Sequence, residues 1–239
     1  MEALDRPLAR AVTARTAEHF TRLHRSEGTR LLFGRNVAAL YGGHRSGVTA
    51  VGLTDGTRIP ADLVLIGVGV TPRTELAAAA GLPVNGGITV DSTLLTADRH
   101  ISAIGDCAAF PQVRSGNRLR LESVQNAVGH ARLVAERLTG AQRTYDELPW
   151  FWSDQFSTTV QIAGLSEERG TEVVLGEDPD AFSVLVFRGQ ELEAVESVNR
   201  SVDHIAARRL LARRAPLTPG TAAAPGFSLR EYLRNLPRD

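Results

Sequence analysis

The sequence predicts an α/β protein in which a doubly wound domain is followed by a smaller α+β domain. Three observations lead to this prediction. Short apolar runs and amphipathic helical segments alternate from the start of the chain to about Pro149. Beyond Pro149, four β-like runs come together and are followed by helical segments. The length of 239 residues, with 43% hydrophobic and 23% charged residues, suits one large domain or two modest ones.

The first elements are a helix and a small hairpin. Residues 10–25 carry apolar side chains at helical spacing, and Gly28 closes the helix. Residues 30–33 form a short β-like run. Residues 48–53 form another, and the turn residues at 55–56 lead it back into 58–59, which predicts an antiparallel hairpin.

The middle of the chain predicts a parallel sheet with helices. Residues 63–66 are apolar throughout, as in a strand buried on both faces, and the run GVGVTP follows at 67–72. A short Ala-rich helix is predicted at 74–80. Strands are predicted at 88–90 and 101–104. The clearest helix runs from Ser123 to Leu138, with Gly140 as its stop.

The last part predicts a meander of strands followed by helices. The four strands are placed at residues 160–163, 172–175, 182–188 and 191–198, with a tight turn at 189–190. A helix is predicted from about 201 to 214. A linker rich in Pro, Ala and Gly follows at 217–226. Ser228 and Glu231 then form a capping-box pair for a final short helix.

Composition excludes several classes of function. All 27 basic residues are arginines, so lysine Schiff-base chemistry and a P-loop lysine are absent. The single cysteine, Cys107, leaves no disulfide, no CxxC pair and no cysteine-rich zinc site within the chain, and the histidines show no metal-ligand spacing, so no metal site is predicted. A net charge of zero disfavours a nucleic-acid groove. No apolar run reaches the roughly 20 residues of a membrane span, and a lone thiol favours the cytoplasm.

The first candidate site is the pair Gly105-Asp106, which follows the predicted strand at 101–104. Ligands of open α/β sheets bind at the carboxyl ends of strands. A glycine allows the backbone to approach a pyrophosphate, and a carboxylate accepts hydrogen bonds from a sugar or ribityl hydroxyl. The alternative is a loop aspartate that only caps a helix.

Ser123, 17 residues after Asp106, begins the long helix. The start of a helix offers free N–H groups and about half a positive charge, which suits a ring that becomes anionic on reduction, such as a flavin. The alternative is an ordinary capped amphipathic helix.

Gly67 and Gly69 resemble half of a dinucleotide fingerprint, although Pro72 stands where its third glycine would be. The aromatic run at 150–152 either stacks on a cofactor or belongs to the core and its rim.

Several motifs together resemble one known family. They are EALDRPL at 2–8, IGVGVTP at 66–72, GDC at 105–107, ESVQNA at 122–127, LPWFWSDQ at 148–155 and VNR at 198–200. The sequence resembles the FAD-dependent NAD(P)H:ferredoxin reductases of the rubredoxin and putidaredoxin type, in the pyridine nucleotide-disulfide oxidoreductase superfamily. The resemblance implies partial doubly wound FAD- and NAD-binding domains followed by a small α+β C-terminal reductase domain. Its parts would be residues 1–63, the remnant of the NAD domain, residues 64–148, the second half of the FAD domain, and residues 149–239.

The resemblance also implies a flavin site. Gly105 and Asp106 would bind the ribityl–pyrophosphate side of FAD, and the helix start at Ser123, with the backbone of Val124, would donate to the pyrimidine edge. Trp152 would lie against the isoalloxazine on the side where electrons leave. The flavin does the chemistry, so no catalytic acid or base is expected. The expected partner is a ferredoxin or a similar [2Fe-2S] protein.

For the electron donor NAD(P)H, the resemblance places Gly67 and Gly69 near the nicotinamide. Glu2 would bind the adenosine ribose and favour NAD over NADP. Family members also carry two GxGxxG loops, and this sequence has neither. We therefore expect an N-terminally truncated reductase, and the exposed edges of a truncated sheet predict low solubility or a homodimer. The alternative is a catalytically inactive fragment or binding module. A flavin NADH oxidase or nitrite-reductase-type relative is a further alternative, against which the run at 152–154 argues.

Overall fold

The computed structural model describes residues 1–43, 47–113, 116–166 and 170–237. It divides into two compact units, Met1–Gly69 and Val70–Asp239. The mixed α/β class that the sequence predicts is confirmed: the second unit carries a small mixed sheet beside a long helix, and then an antiparallel sheet covered by helices. Within the described ranges, none of the helices combines the length and apolar character needed to cross a membrane.

The first unit contains one helix and a three-stranded antiparallel sheet. Helix α1 runs over Ala14–Ser26, begins where the Thr13 side chain accepts a hydrogen bond from the Thr16 amide, and buries Phe20. Its strands lie in the order β1-β2-β3 and are β1 Val37–Gly43, β2 Gly47–Leu53 and β3 Arg58–Pro60. The predicted hairpin is confirmed as β2 and β3. Strand β1 was not predicted, because nearly all of its side chains are exposed and no alternation marks it.

Two predicted strands of the first unit are wrong. Residues 30–33 form no strand, although the Glu2 amide donates to the Leu32 carbonyl at 2.9 Å and holds this segment beside the start of the chain. Residues 63–66 are irregular, and Leu65 is 95% exposed. A parallel strand buried on both faces needs neighbouring strands and covering helices, and the described residues supply neither to this segment.

The second unit opens with short elements around one long helix. They are α2 Glu75–Ala79, β4 Ile88–Thr89, a 3₁₀ turn at Gly105–Cys107, β5 Ala108–Pro111, β6 Arg118–Leu119 and α3 Val124–Leu138. Strand β4 pairs parallel with β5, and β5 pairs antiparallel with β6. Phe110, Leu133 and Tyr145 meet in the core beneath this sheet. The predicted strand at 101–104 is reduced to one bridge between Leu95 and Ser102.

The rest of the second unit is a five-stranded antiparallel sheet with three helices. The strands lie in the order β7-β8-β11-β10-β9. Their bounds, and those of the helices, are β7 Trp150–Gln155, β8 Thr158–Gly164, β9 Thr171–Asp178, β10 Ala181–Arg188, β11 Glu191–Val198, α4 Ser201–Ala212, α5 Pro219–Ala222 and α6 Leu229–Asn235. Helix α4 packs on β8 and β11. Leu185, Val195 and Leu210 lie in the shared core.

Most predictions for this sheet are confirmed, and two need correction. Strands β8 to β11 and helices α4 and α6 are present, and Ser228 caps α6 by accepting from the Glu231 amide. The predicted linker at 217–226 contains α5 instead, because Pro219 occupies the first helical position, where its fixed φ favours a helix. The aromatic run at 150–152 belongs to strand β7, which pairs with β8.

Candidate functional site

The Gly105–Cys107 turn presents a carboxylate to solvent. Gly105 has φ +69°, a left-handed conformation that glycine adopts without strain. The turn directs the Asp106 side chain outward, and no described residue makes a hydrogen bond or ion pair with its carboxylate. The Cys107 thiol donates to the Ile104 carbonyl at 3.4 Å. The turn therefore offers one free acceptor group, which suits a ligand with hydroxyl groups.

The start of helix α3 presents free donors. The Ser123 side chain caps the helix by accepting from the Asn126 amide at 3.2 Å. This leaves the amides of Val124 and Gln125 without a hydrogen-bond partner in the part of the chain that the structure describes. Val124 is 63% exposed, so ligands have access to this end of the helix. Free amides and the helix dipole together favour a negatively charged or carbonyl group here.

The turn and the helix lie against each other. The Gly105 amide donates to Nδ1 of His130 on α3 at 3.0 Å, and a Cβ at Gly105 would lie 3.6 Å from that of Ala127. The guanidinium of Arg120 also donates to the Asp106 carbonyl at 3.1 Å. The structure thus brings the predicted residues Gly105 and Asp106 to the first two turns of the helix that Ser123 and Val124 begin.

Trp152 supplies an exposed aromatic ring. It lies on β7, which contacts α3, and its side chain is 44% exposed. Its ring centroid is 5.8 Å from that of Trp150. Trp150 is in turn covered by the guanidinium of Arg208 at 4.1 Å and by the ring of His204 at 5.5 Å. Of the aromatic run, Trp150 therefore belongs to the packed rim, and Trp152 retains a face for a ligand.

Two buried histidines of the second unit were missed by sequence reasoning. His130 and His204 are almost fully buried, and burial lowers the pKa of each to about 4, so both are neutral near pH 7. Arg208 lowers the pKa of His204 further. The signal for His130 was its position four residues after the buried Asn126, on the inward stripe of α3.

The residues expected to bind NAD lie in the first unit. Glu2 is already engaged, because its carboxylate accepts from the Leu4 amide at 2.9 Å. Gly67 and Gly69 lie in exposed coil, and a Cβ at either would meet open space. No hydrogen bond between described residues joins Glu2 to either glycine. Glu2, Gly67 and Gly69 therefore stay a prediction for NAD binding.

The residues expected to bind FAD fit that group. A free carboxylate, two free amides and an exposed tryptophan match its hydroxyl groups, its polar pyrimidine edge and its ring face. Ile104 and Val128 are also exposed beside the turn and on α3, as in a surface that a ring covers. A cavity of about 490 Å³ lies elsewhere in the unit, where β8 ends and the β10–β11 turn begins, and no predicted site residue lines it.

Comparison with known proteins places the chain in a family. Residues 1–131 match the model of the pyridine nucleotide-disulphide oxidoreductases, and residues 150–233 match that of the reductase C-terminal domain. Rhodocoxin reductase from Rhodococcus erythropolis is 46% identical over 96% of the chain and 54% of its own length. Putidaredoxin reductase from Pseudomonas putida is 36% identical over 98% of the chain and 56% of its own length.

Solved structures agree with the sequence matches. A ferredoxin reductase from Rhodopseudomonas palustris superposes with a TM-score of 0.93 at 44% identity, over 97% of this chain and 57% of that one. Putidaredoxin reductase in covalent complex with putidaredoxin superposes with a TM-score of 0.92 at 35% identity, over 98% and 56%. The chain spans about half the length of the curated relatives it matches. It belongs to the pyridine nucleotide-disulphide oxidoreductase family.

Proposed function

We propose that this chain supplies the flavin-binding surface and the C-terminal domain of an FAD-dependent NAD(P)H:ferredoxin reductase. The observation that carries the proposal is the Gly105–Cys107 turn, which is bound to the N-terminal turns of α3 through Gly105 and His130. That arrangement joins one free carboxylate to two free amides. The relatives named above are reductases of rhodocoxin and putidaredoxin, which supports this function over the alternatives of a binding module or a flavin NADH oxidase.

The residues of the site would bind FAD, orient it and shield its ring from water. When bound, FAD supplies the chemistry that takes a hydride from NAD(P)H and passes single electrons to an iron–sulfur protein. Asp106 accepts hydrogen bonds from hydroxyl groups and fixes the position of the ligand along the turn. The amides of Val124 and Gln125 stabilise negative charge at the polar edge of the ring. Trp152 covers the ring face and excludes water.

We propose the domain division that the resemblance implies. Residues 1–63 would come from the NAD domain, residues 64–148 from the FAD domain and residues 149–239 from the reductase C-terminal domain. The family model that begins at residue 150 supports the last boundary. Glu2 is proposed to favour NAD over NADP, because a 2′-phosphate would meet its negative charge, and Gly67 and Gly69 are proposed to pass near the nicotinamide.

The proposed electron acceptor is an acidic iron–sulfur protein of the ferredoxin type. Arg208 and Arg209 on α4, with Arg213 and Arg214 after it, give this end of the unit a concentration of positive charge. One of the similar solved structures is named as a complex of a reductase with putidaredoxin, which supports a partner of that class. The lone thiol, Cys107, supports a location in the cytoplasm.

Flavin binding tests the proposal. We expect the 239-residue chain to quench FAD fluorescence on titration, and we expect Asp106→Ala to weaken binding about tenfold, since it removes the free acceptor. Asp146→Ala is the matched control, because this aspartate is also exposed in the second unit. A chain that leaves FAD free in solution would favour the alternative of an inactive fragment or binding module. An Asp106→Ala variant that binds FAD like the parent would contradict the role proposed for Asp106.

A further inference from the structure

His130 connects α3 to the turn by one buried hydrogen bond. Its Nδ1 accepts from the Gly105 amide at 3.0 Å, and the two residues are 25 positions apart in the chain. The ring is fully buried and lies edge-on between Phe110 and Tyr145, with centroid distances of 4.8 and 4.4 Å. The ring therefore has a fixed orientation that keeps Nδ1 directed at the turn.

The hydrogen bond defines the chemical form of the ring. Because Nδ1 accepts, the proton of the neutral imidazole is assigned to Nε2. Nε2 is buried and has no partner among the described residues. A buried donor without a partner opposes folding, and an apolar side chain on this stripe of α3 would avoid that cost. The hydrogen bond from the Gly105 amide to Nδ1 compensates for this cost, and an apolar side chain would offer the amide no acceptor.

The Gly105 amide is the backbone group of the turn that is hydrogen-bonded to α3. The φ of Gly105 is +69°, and glycine adopts other values of φ equally easily. A hydrogen bond from outside the turn is therefore needed to fix the direction of this peptide. We propose that His130 is a positioning residue that fixes the Gly105–Cys107 turn on α3, and so holds the Asp106 carboxylate in place for FAD. This inference rests on the proposed function, because it assigns a role at the same site.

A pH dependence follows from this geometry. Protonation of Nδ1 removes the acceptor and directs a donor at the amide it had bound. The titratable group that contacts the ring is Tyr145, whose hydroxyl donates to Asn126 at 3.1 Å, while Asp106, next to the bound amide, is exposed to solvent. Strand β5 has no titratable side chain. Burial and the charge of Glu147 raise the pKa of Tyr145, so Glu147 affects the ring only through that residue. Since burial lowers the pKa of His130 to about 4, the bond persists at neutral pH and is lost in acid.

Three variants test the role. His130→Gln keeps an acceptor, since its amide oxygen reaches toward the turn, and His130→Leu keeps the volume without one. Leu210→Ala is the control for general destabilisation, because it opens a cavity in the core under α4. The readouts are the FAD dissociation constant, measured by fluorescence at about pH 7 and about pH 3.5, and hydrogen exchange of the peptide over residues 103–108 in the FAD-free chain.

We expect His130→Leu to raise the dissociation constant about tenfold and to speed exchange at the turn, while His130→Gln and Leu210→Ala stay within about threefold of the parent. Acid should weaken binding to the parent more than to His130→Gln. Parent-like binding and exchange in His130→Leu would overturn the proposal. If that variant does not fold, identical pH profiles for the parent and His130→Gln would overturn it. If the parent binds no FAD, the proposed function fails, and exchange at the turn still decides the role of His130.

Discussion

The buried His204 makes the stability of the second unit depend on pH. Both of its ring nitrogens are buried without a partner among the described residues, and burial lowers its pKa from the ordinary 6.5 to about 4. The unfolded chain therefore takes up a proton near pH 6.5, and the folded chain does so only near pH 4. Stability is fully present above about pH 6.5 and is lost as the pH falls toward 4.

Replacing this histidine by leucine removes the effect. Each pH unit below 6.5 costs the parent about 1.4 kcal/mol of unfolding free energy, so His204 alone costs about 3 kcal/mol at about pH 4.5. At about pH 7, His204→Leu should lie within about 1 kcal/mol of the parent, because two unsatisfied nitrogens are exchanged for a slightly different packing volume. The stability difference in favour of the variant should then grow by about 3 kcal/mol on acidification.

Urea unfolding, followed by the fluorescence of Trp150 and Trp152, measures this difference. His204→Leu is compared with the parent at about pH 7 and about pH 4.5. His130 contributes the same pH dependence of the unfolding free energy to both proteins, so its effect cancels in the comparison. His100→Leu is the control, since its side chain is 72% exposed. A stability difference that does not change with pH would refute the conclusion that His204 is held neutral by burial.

Further predictions concern the turn, the helix cap, the partly buried ion pair of Arg200 and Asp203, and the apolar segment at residues 63–66. Gly105→Ala should cost about 1 kcal/mol, because φ is +69°, and should weaken FAD binding; thermal unfolding and FAD titration measure the two effects. Ser123→Ala should lower the unfolding free energy by about 1 kcal/mol in urea, through loss of the α3 cap. Asp203→Ala should cost about 2 kcal/mol by the same assay, because this buried carboxylate accepts from Arg200 at 2.6 Å and from the buried Ser183 hydroxyl at 2.9 Å. Leu65→Glu should reduce self-association measured by sedimentation, because it places a charge in the exposed apolar segment. A parent chain that sediments as a monomer would contradict the expected dimer.

Local patterns account for the parts of the fold that the sequence predicted. The cap at Ser123, the pair Ser228 and Glu231 and the strands β8 to β11 each follow from residues close together in the chain. Residues 63–66 are apolar enough for a buried strand, but burial depends on neighbours that a local pattern does not contain. The prediction failed there for that reason.

Some residues of the candidate site could likewise be predicted from the sequence, and others could not. Gly105, Asp106 and Ser123 could be chosen from their types and from their positions at the ends of predicted elements. His130 could not, because its role depends on a hydrogen bond to a residue 25 positions earlier, and a histidine on the inward stripe of a helix is an ordinary core residue until that bond is seen. The family resemblance predicts that Trp152 lies against the flavin, whereas the packing of Trp150 under Arg208 could be seen only in the structure.

The central claim is that the Gly105–Cys107 turn and the start of α3 bind one FAD molecule. Hydrogen exchange of the chain with and without FAD tests it directly, because the amides of Val124 and Gln125 have no hydrogen-bond partner among the described residues that would slow their exchange without a ligand. The account predicts that FAD slows exchange at residues 104–107 and at residues 124–125 together. Slowing at one of the two segments alone, or at neither, would contradict it.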